Sequence, residues 1–190
     1  MQKNQNSSLD IKSKIRSVNL KLRKSLSINN YYKSFSIMKN LAKNIKFNDE
    51  SAVGLYWPIN GEIDTRPLIS LLIRKKIPVA LPFIVKKQMS FKLWDYKDSL
   101  YYSKYKFYSP SENSETVIPK IIITPALAVD QLGYRIGYGK GFYDKYYSAN
   151  KSSIYIGYIY SEQIFKALPF NKHDLKLNAI VTDVFYKYFK

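Results

Sequence analysis

The chain has 190 residues and a formal net charge of +17, with 46% hydrophobic and 16% aromatic residues. This length and composition indicate an ordered globular protein with one substantial core, so we expect a single domain over residues 1–190. The absence of cysteine excludes disulfides, thiolate zinc sites and a cysteine nucleophile, and the single histidine, His173, excludes a multi-histidine metal site.

The first 45 residues are predicted to be mostly helical. The polar segment MQKNQNSSLD lacks the apolar core of a signal peptide. In the following segment Ile11, Ile15, Val18 and Leu22 recur at helical spacing, which predicts a helix. A second helix is predicted over residues 31–45, with one face formed by Tyr31, Phe35, Met38, Ala42 and Ile45.

The next segment predicts strands separated by a helix. AVGLYW predicts a short buried strand that ends at Pro58 and the turn residues Asn60 and Gly61. Thr65 is a candidate cap for a helix that begins at RPLISLLIRKK, where an early proline is well tolerated. PVALPFI and MSFKLWDY predict two further strands, and residues 97–116 are interpreted mostly as connecting loop.

The second half predicts three more strands and a helix. VIPKIIITPALAV is the most strongly apolar strand, FYDKYYSA begins a helix, and SIYIGYIY and NAIVTDVFY are the last strands. Strands that alternate with helices predict an α/β layered domain with a mainly parallel sheet flanked by helices, Rossmann-like. The longest apolar stretches, such as IIITPALAV, are too short to span a bilayer. We therefore expect a cytoplasmic protein with no membrane partner.

The stretch GYRIGYGKGFYDKYY, residues 133–147, contains four of the seven glycines. Glycine lets backbone N–H groups approach a phosphate closely, and the following helix adds unpaired N–H groups. Arg135 and Lys140 add positive charge, and Asp144, in the first helical turn, is a candidate for holding Mg²⁺ against phosphates. The loop therefore predicts a nucleotide phosphate site.

A glycine-rich strand-to-helix turn with nearby surface charges is the alternative interpretation of this loop. Its glycine spacing fits neither the P-loop order G-x-x-x-x-G-K-[ST] nor the dinucleotide pattern G-x-G-x-x-G. Spacing alone therefore favours a phosphate site without naming its type.

DQLGYRIGYGKGFYD, residues 130–144, resembles the signature of the 5-formyltetrahydrofolate cyclo-ligase (methenyltetrahydrofolate synthetase) family, D-x-x-G-x-R-L-G-x-G-x-G-[YF]-Y-D, with Ile136 in place of leucine. Lys12 and Arg16 fit the family's early K-x-x-[LI]-R, GEIDT fits its E-[IV]-[DE]-T, and HDLKLNAIVTD fits its carboxyl-terminal acidic motif. Two departures are Val129, where the family often has phenylalanine, and Asn178, where an acid is common. The valine at position 129 is expected to affect packing only. The asparagine at position 178 leaves open whether this segment keeps all the contacts that the family makes.

The resemblance implies roles for individual residues. The implied ATP-binding set is Lys12, Arg16, Arg135, Ile136, Gly137, Tyr138, Gly139, Lys140, Gly141, Phe142 and Tyr143. The implied folate-binding set is Trp57, Glu62, Tyr138, Gly139, Lys140, Gly141 and Phe142. Lys140 and Arg135 are the candidate catalytic residues, and Asp144 and Asp174 are the candidate Mg²⁺ ligands. Without the resemblance, several of these residues would be interpreted as a solvated basic helix face, a surface acid, a core aromatic and a capping acid.

The resemblance also implies the reaction: ATP- and Mg²⁺-dependent cyclisation of 5-formyltetrahydrofolate to 5,10-methenyltetrahydrofolate by a monomer or weak homo-oligomer. One alternative is a relative that binds ATP and folate without this turnover. Another is a basic nucleic-acid-binding protein, since scattered cations attract polyanions. Only five of the 31 basic residues are arginine, and the lysines occur singly or in pairs. We favour codon usage in a genome rich in A and T as the source of the charge, and predict no specific nucleic-acid partner.

Overall fold

The computed structural model describes residues 2–48 and 50–189, so the predicted domain limits, Met1 and Lys190, lie outside the described residues. Within that range the helices are α1 (Gln2–Leu26), α2 (Asn30–Asn44), α3 (Arg66–Arg74) and α4 (Phe142–Ala149). The strands are β1 (Val53–Gly54), β2 (Val79–Val85), β3 (Gln88–Leu93), β4 (Tyr101–Tyr102), β5 (Tyr108–Ser109), β6 (Thr116–Val117), β7 (Ile121–Thr124), β8 (Ala128–Asp130), β9 (Arg135–Ile136), β10 (Ile154–Tyr158), β11 (Ile164–Phe165), β12 (Ala179–Val181) and β13 (Tyr186–Tyr188).

An eight-stranded sheet forms the centre of the fold, in the order β13–β12–β10–β7–β1–β2–β3–β6. The five central strands, from β12 to β2, run parallel, and β13, β3 and β6 are joined antiparallel at the edges. Two small sheets, β11–β8–β9 and β4–β5, lie outside it. The prediction of an α/β fold with a mainly parallel sheet flanked by helices is confirmed.

The central strands are apolar along their length because both sheet faces are covered. On β7, Ile123 packs into the cluster that contains Leu41 of α2 and Leu72 of α3, while Ile122 packs into the cluster on the opposite face. Parallel strands buried on both faces need such continuous apolar runs rather than alternation. Burial of each large aliphatic side chain contributes about 1.5–3 kcal/mol, so this double cover dominates the stability of the sheet.

The first two helices form as predicted, but their buried faces differ from the apolar stripes in the sequence. On α2 the buried residues are Ser34, Ile37 and Leu41. The predicted face through Tyr31, Phe35, Met38, Ala42 and Ile45 is correct only in part: Met38 and Ile45 pack half-buried against the core, whereas Tyr31 and Ala42 are exposed. Tyr31 is 68% exposed, because α2 is rotated to bring Ile37 and Leu41 against the sheet. On α1 the apolar Ile11 and Val18 are exposed, whereas Lys12, Asn19 and Arg23 are buried. The polar face of α1 is therefore the one that faces the protein.

The predicted strands are present with shifted limits. The strand predicted for AVGLYW is reduced to Val53–Gly54, and the apolar segment from Val117 onward is divided among three strands, because Pro119 and Pro125 interrupt it. Residues 97–116 contain the short hairpin β4–β5 in addition to loop. Three further short strands, β9, β11 and β13, were not predicted; β13 begins at Tyr186, the last residue of the predicted last strand.

The helix predicted after Thr65 is confirmed, with a proline in its first turn. The Thr65 side chain does not cap it: its hydroxyl donates instead to the Tyr56 carbonyl at 2.6 Å. This bond ties the start of α3 to the segment that follows β1. In the described part of the chain, none of the helices is both long and apolar enough to cross a bilayer.

Candidate active site

A cleft of about 310 Å³ opens at the carboxyl edge of the central sheet. Trp57 follows β1, Pro82 and Ile84 lie in the later half of β2, and Pro125 follows β7. This is the edge where parallel sheets place their ligands. Every residue of the predicted ATP-binding, folate-binding, catalytic and metal-binding sets lines this cleft: Lys12, Arg16, Trp57, Glu62, Arg135, Ile136, Gly137, Tyr138, Gly139, Lys140, Gly141, Phe142, Tyr143, Asp144 and Asp174.

The polar face of α1 forms one wall of the cleft. Lys12 and Arg16, four residues apart, lie on the same helical face, as their spacing requires. The Nε atom of Arg16 donates to the Gly137 carbonyl at 3.0 Å, which fixes the guanidinium against the glycine loop. Asn19 continues this buried face, and its Nδ2 bonds the Ile15 carbonyl of its own helix. The helix is thus attached to the glycine loop through a basic side chain.

The glycine loop joins β9 to α4 and follows a small hairpin rather than the central strand itself. Gly139 and Gly141 have φ values of +90° and +67°, a region that side chains rarely adopt. A Cβ atom at Gly139 would also lie 3.1 Å from the Arg16 guanidinium carbon. Backbone conformation and close approach therefore both require glycine at position 139, whereas position 141 requires it for conformation alone.

Arg135, on β9, is buried between the loop and α4. Its Nη2 atom lies 2.9 Å from Oδ1 of Asp144, and its guanidinium lies 5.4 Å from the centroid of the Tyr143 ring. Its Nε atom is buried without a hydrogen-bond partner. A buried donor without a hydrogen-bond partner lowers the stability of the fold, and the Arg135 Nε is such a donor.

The two candidate metal ligands, Asp144 and Asp174, come from distant parts of the chain and both line the cleft. The Leu175 backbone N–H donates to Oδ1 of Asp144 at 3.1 Å, so the residue after Asp174 touches the Asp144 carboxylate. Asp174 itself lies 2.5 Å from the Lys12 ammonium group. The described residues contain no group of three or more His, Cys, Asp and Glu side chains that could hold a metal.

Glu62 is almost fully buried, at 3% exposure, in the turn after Asn60. One of its oxygens accepts from the Ile59 backbone N–H at 2.9 Å, and the Arg23 guanidinium lies 3.7 Å from the other. Burial raises the pKa of Glu62 to about 7, against the opposing effects of Arg23, the Ile59 N–H and Tyr138. A carboxylate that titrates near neutral pH inside a cleft is a typical feature of functional sites.

Three tyrosines surround Glu62. Burial raises the pKa of Tyr56, Tyr138 and Tyr143, and the neighbouring Glu62 charge raises each further. All three hydroxyls are therefore hydrogen-bond donors at neutral pH. The Tyr143 hydroxyl is buried without a partner. Among the described residues, the Tyr143 hydroxyl therefore has no hydrogen-bond partner.

Aromatic side chains form the opposite side of the cleft. The Trp57 ring packs edge-on against Trp94, with centroids 5.8 Å apart, and Tyr105 packs against Phe142 at 5.2 Å. The exposed Lys140 ammonium lies 5.5 Å from the Tyr105 ring centroid. The loop that carries Tyr105 therefore lies directly over the glycine loop.

Sequence reasoning missed a second group of lining residues, namely Tyr56, Ile59, Asn60, Pro82, Ile84, Met89, Tyr105, Lys106, Phe107 and Pro125. Three of them, Pro82, Ile84 and Met89, lie on strands, where only the fold shows which end faces the cleft, and the others lie in turns and loops. Tyr105 and Phe107 lie in the segment interpreted as connecting loop, whose concentration of tyrosine and lysine was the available signal. His173 is exposed and is not among the cleft residues.

The two sequence departures lie away from the cleft lining. Val129 lies on β8 and is fully buried, so the valine at this position affects packing. Asn178 precedes β12, where its Oδ1 accepts from the Tyr155 N–H at 2.8 Å and its N–H donates to the Tyr155 carbonyl at 2.9 Å. Both of these hydrogen bonds join Asn178 to Tyr155 on β10 of the central sheet.

Comparison with known proteins places these features in a family. Residues 9–183 match the sequence model of the 5-formyltetrahydrofolate cyclo-ligase family. The chain is 31% identical over 144 residues to 5-formyltetrahydrofolate cyclo-ligase of Escherichia coli strain K12, covering 68% of this chain and 76% of that protein. It is 31% identical over 156 residues to the Haemophilus influenzae protein of the same name, covering 77% and 83%. The NMR structure of Aquifex aeolicus 5,10-methenyltetrahydrofolate synthetase superposes with a TM-score of 0.83 at 28% identity, covering 95% of this chain and 93% of that one.

Proposed function

The chain belongs to the 5-formyltetrahydrofolate cyclo-ligase family of enzymes, and we propose that it catalyses ATP- and Mg²⁺-dependent cyclisation of 5-formyltetrahydrofolate to 5,10-methenyltetrahydrofolate, with release of ADP and phosphate. The observation that carries the proposal is the arrangement within one cleft. The cations, the glycine loop and the two aspartates lie together, and Glu62 and Trp57 line the same cavity. Two substrates that must react with each other can therefore be held in contact.

The reaction requires activation of a poor leaving group. The formyl oxygen attacks the γ-phosphorus of ATP, ADP departs, and the oxygen becomes part of a phosphate ester of the imidate. The second folate nitrogen then attacks the formyl carbon, the carbon–oxygen bond breaks, and phosphate leaves as that nitrogen loses its proton. Such phosphoryl transfer depends on positioning and charge neutralisation more than on an acid–base pair.

The nucleotide part of the cleft supplies that neutralisation. Lys12, Arg16, Arg135 and Lys140 provide four cations, and the loop and the start of α4 provide backbone N–H groups. Lys140 is exposed at the tip of the loop, so its ammonium can follow the γ-phosphate during transfer. Arg135 is fixed by Asp144, which holds its guanidinium at the wall of the cleft.

Asp144 and Asp174 fit a magnesium site of the kind that is completed by substrate. Mg²⁺ prefers oxygen ligands and is commonly bound by one or two carboxylates together with phosphates and water. The hydrogen bond from the Leu175 N–H to Asp144 brings the backbone next to Asp174 to the Asp144 carboxylate, which supports this donor set. When bound, Mg²⁺ would screen the charge that develops on the phosphates. Asp144 also holds Arg135 toward the same phosphates.

Glu62 and Trp57 are the proposed folate contacts. An ionised Glu62 accepts hydrogen bonds from the pterin donors, while the Trp57 ring offers an apolar face to the ring system. Tyr138 lies between the two halves of the cleft, where its hydroxyl accepts a hydrogen bond from Arg23. Its place in the glycine loop makes it a contact for either substrate.

We also propose that the protein acts in the cytoplasm as a monomer or weak homo-oligomer, with reduced folate and ATP as its partners and no specific nucleic acid. The scattered distribution of the lysines and the small number of arginines support the last of these points, the absence of a specific nucleic-acid partner. Nucleic-acid binding that falls steeply with salt at micromolar protein would contradict the last point.

The direct test is an absorbance assay. Purified protein with magnesium, ATP and 5-formyltetrahydrofolate is expected to generate the absorbing methenyl product, and omission of ATP is expected to stop it. No product from well-folded protein would overturn the proposal. Tight folate binding without turnover would instead identify a relative that has kept binding and lost this reaction.

A further inference from the structure

We propose that Arg23 is a positioning residue that holds Glu62 and Tyr138 in the geometry, and Glu62 in the charge state, needed to bind the folate. The inference rests on the proposed function, because it concerns the folate half of that site. Arg23 is not among the residues that line the cleft. It acts from behind the wall, through residues that do.

The contacts of Arg23 join three elements. The side chain is 1% exposed and projects from the polar face of α1. Its Nε donates to the Asn60 carbonyl at 3.1 Å, its Nη2 donates to the Tyr138 hydroxyl, and its Nη1 lies 3.7 Å from a Glu62 oxygen. One guanidinium thus contacts the turn before Glu62, the Glu62 carboxylate and the glycine loop.

The backbone geometry of the turn supports a fixed register against α1. Asn60 and Gly61 have φ values of +48° and +74°, and a Cβ atom at Gly61 would lie 3.1 Å from the Arg23 carbonyl oxygen. The turn therefore packs directly on the helix at Arg23. A planar fork with several donors can hold such a turn, which a single ammonium group cannot do.

The electrostatic surroundings of Glu62 assign a second role to Arg23. The groups that face Glu62 are Arg23 on α1, Tyr138 and Tyr143 from the glycine loop and α4, and Tyr56 after β1. Of these four, Arg23 alone carries a charge at neutral pH. Burial raises the pKa of Glu62 to about 7, and Arg23 acts in the opposite direction. Without that cation, Glu62 would be protonated at neutral pH and would lose acceptor capacity toward pterin donors.

The first experiment measures kcat/KM for the folate against pH in wild type, Arg23→Gln, Arg23→Lys and the exposed control Arg74→Gln. Activity that needs ionised Glu62 falls as pH drops through the Glu62 pKa. In Arg23→Gln we expect this acid limb to move upward by about one pH unit. At pH 7 kcat/KM should fall by roughly fivefold from the loss of ionised Glu62, in addition to a severalfold loss from the missing fork that persists at pH 9. The Arg74→Gln profile should stay within about twofold of wild type. A uniform loss at all pH values would indicate a purely structural role and overturn the proposal.

The second experiment measures the titration of the Glu62 carboxyl in the absence of catalysis. The chain has five glutamates, so ¹³C-labelled glutamate carboxyls can be followed by NMR, with Glu62→Gln identifying the Glu62 signal. We expect the Glu62 titration to move upward by about one unit in Arg23→Gln. An unchanged midpoint overturns the proposal even if the wild-type enzyme is active. An inactive wild type with a shifted midpoint would instead remove the proposed reaction and keep the Arg23–Glu62 coupling.

Arg23→Lys keeps the test decisive if Arg23→Gln does not fold. Lysine retains the charge and loses the fork, so the Glu62 midpoint should stay within about half a unit of wild type while the folate KM rises severalfold. An unchanged folate KM in Arg23→Lys would contradict a positioning role.

Discussion

The Nζ atom of Lys12 lies 2.5 Å from Oδ2 of Asp174, so a cation proposed for ATP is already paired with a carboxylate proposed for magnesium. Arg135 and Asp144 repeat this arrangement at 2.9 Å. Each pair joins one group from the cationic set and one from the metal-binding set. Binding of the ATP–metal complex would therefore exchange partners: cations turn to phosphates and carboxylates turn to the metal. Such an exchange would couple the binding of ATP to the binding of the metal.

We predict that Asp174→Asn strengthens ATP binding in the absence of Mg²⁺ and weakens the effect of adding it. Removing the carboxylate frees Lys12 for a phosphate, and a partly exposed ion pair of this kind is worth about 1 kcal/mol, or roughly fivefold in Kd. With Mg²⁺, wild type should gain more affinity than the variant, because the variant has lost a metal ligand. Calorimetric titration of ATP, with and without Mg²⁺, measures both effects.

Asp95→Asn is the control for that titration, since Asp95 is exposed and outside the cleft lining. It should leave ATP affinity unchanged under both conditions. If Asp174→Asn binds metal-free ATP no better than wild type, the exchange of partners at Lys12 is wrong.

The structure gathers the predicted site residues in one cleft, whereas it departs from the predicted helix faces, and the physical reason for the departure lies on α1. A buried helix face is normally apolar, so Ile11 and Val18 were the residues whose spacing indicated a helix. The structure buries Lys12 and Arg23 instead, because Lys12 pairs with Asp174 at the cleft and Arg23 donates to the Asn60 carbonyl behind the cleft wall. Periodicity alone could not show this inversion; the resemblance carried by Lys12 and Arg16 could.

The remaining gaps concern contacts between distant segments. The pairing of Lys12 with Asp174 spans 162 positions, and that of Arg23 with Tyr138 spans 115. Neither pair has a local spacing that could predict it. The glycine loop could be predicted because its chemistry is contained in one short stretch, in which glycine, cations and an early helical acid follow one another.

We predict that Lys140→Ala lowers kcat at least roughly a hundredfold while the fold stays intact. Lys140 is exposed at the loop tip, so its removal leaves no cavity, and the loss of one preorganised cation at a transferring phosphate has effects of this size. Methenyl formation measures the rate, and circular dichroism with thermal melting checks the fold. Lys145→Ala, an exposed lysine on α4 outside the cleft lining, is the control. Full activity in Lys140→Ala would remove that lysine from the mechanism.

We predict that Gly139→Ala raises the KM for ATP more than Gly141→Ala does. Both positions have positive φ, so each alanine costs about 1 kcal/mol of backbone strain. At position 139 the new Cβ would also press on the Arg16 guanidinium at 3.1 Å, whereas at position 141 it meets no atom within 4 Å. Thermal melting should show similar strain in both variants, and steady-state kinetics should separate them. Equal KM values for ATP would show that Arg16 is not displaced.

We predict that folate binding quenches tryptophan fluorescence and that ATP alone does not. The chain has two tryptophans: Trp57 lines the cleft and Trp94 packs against it from outside the lining. A pterin held near Glu62 would lie against Trp57, so Trp57→Phe should remove most of the quenching and Trp94→Phe should keep it. Titration of each variant, corrected for absorption of light by the folate with free N-acetyltryptophanamide, measures the effect. Full quenching in Trp57→Phe, or equal quenching by ATP alone, would place the folate elsewhere in the cleft.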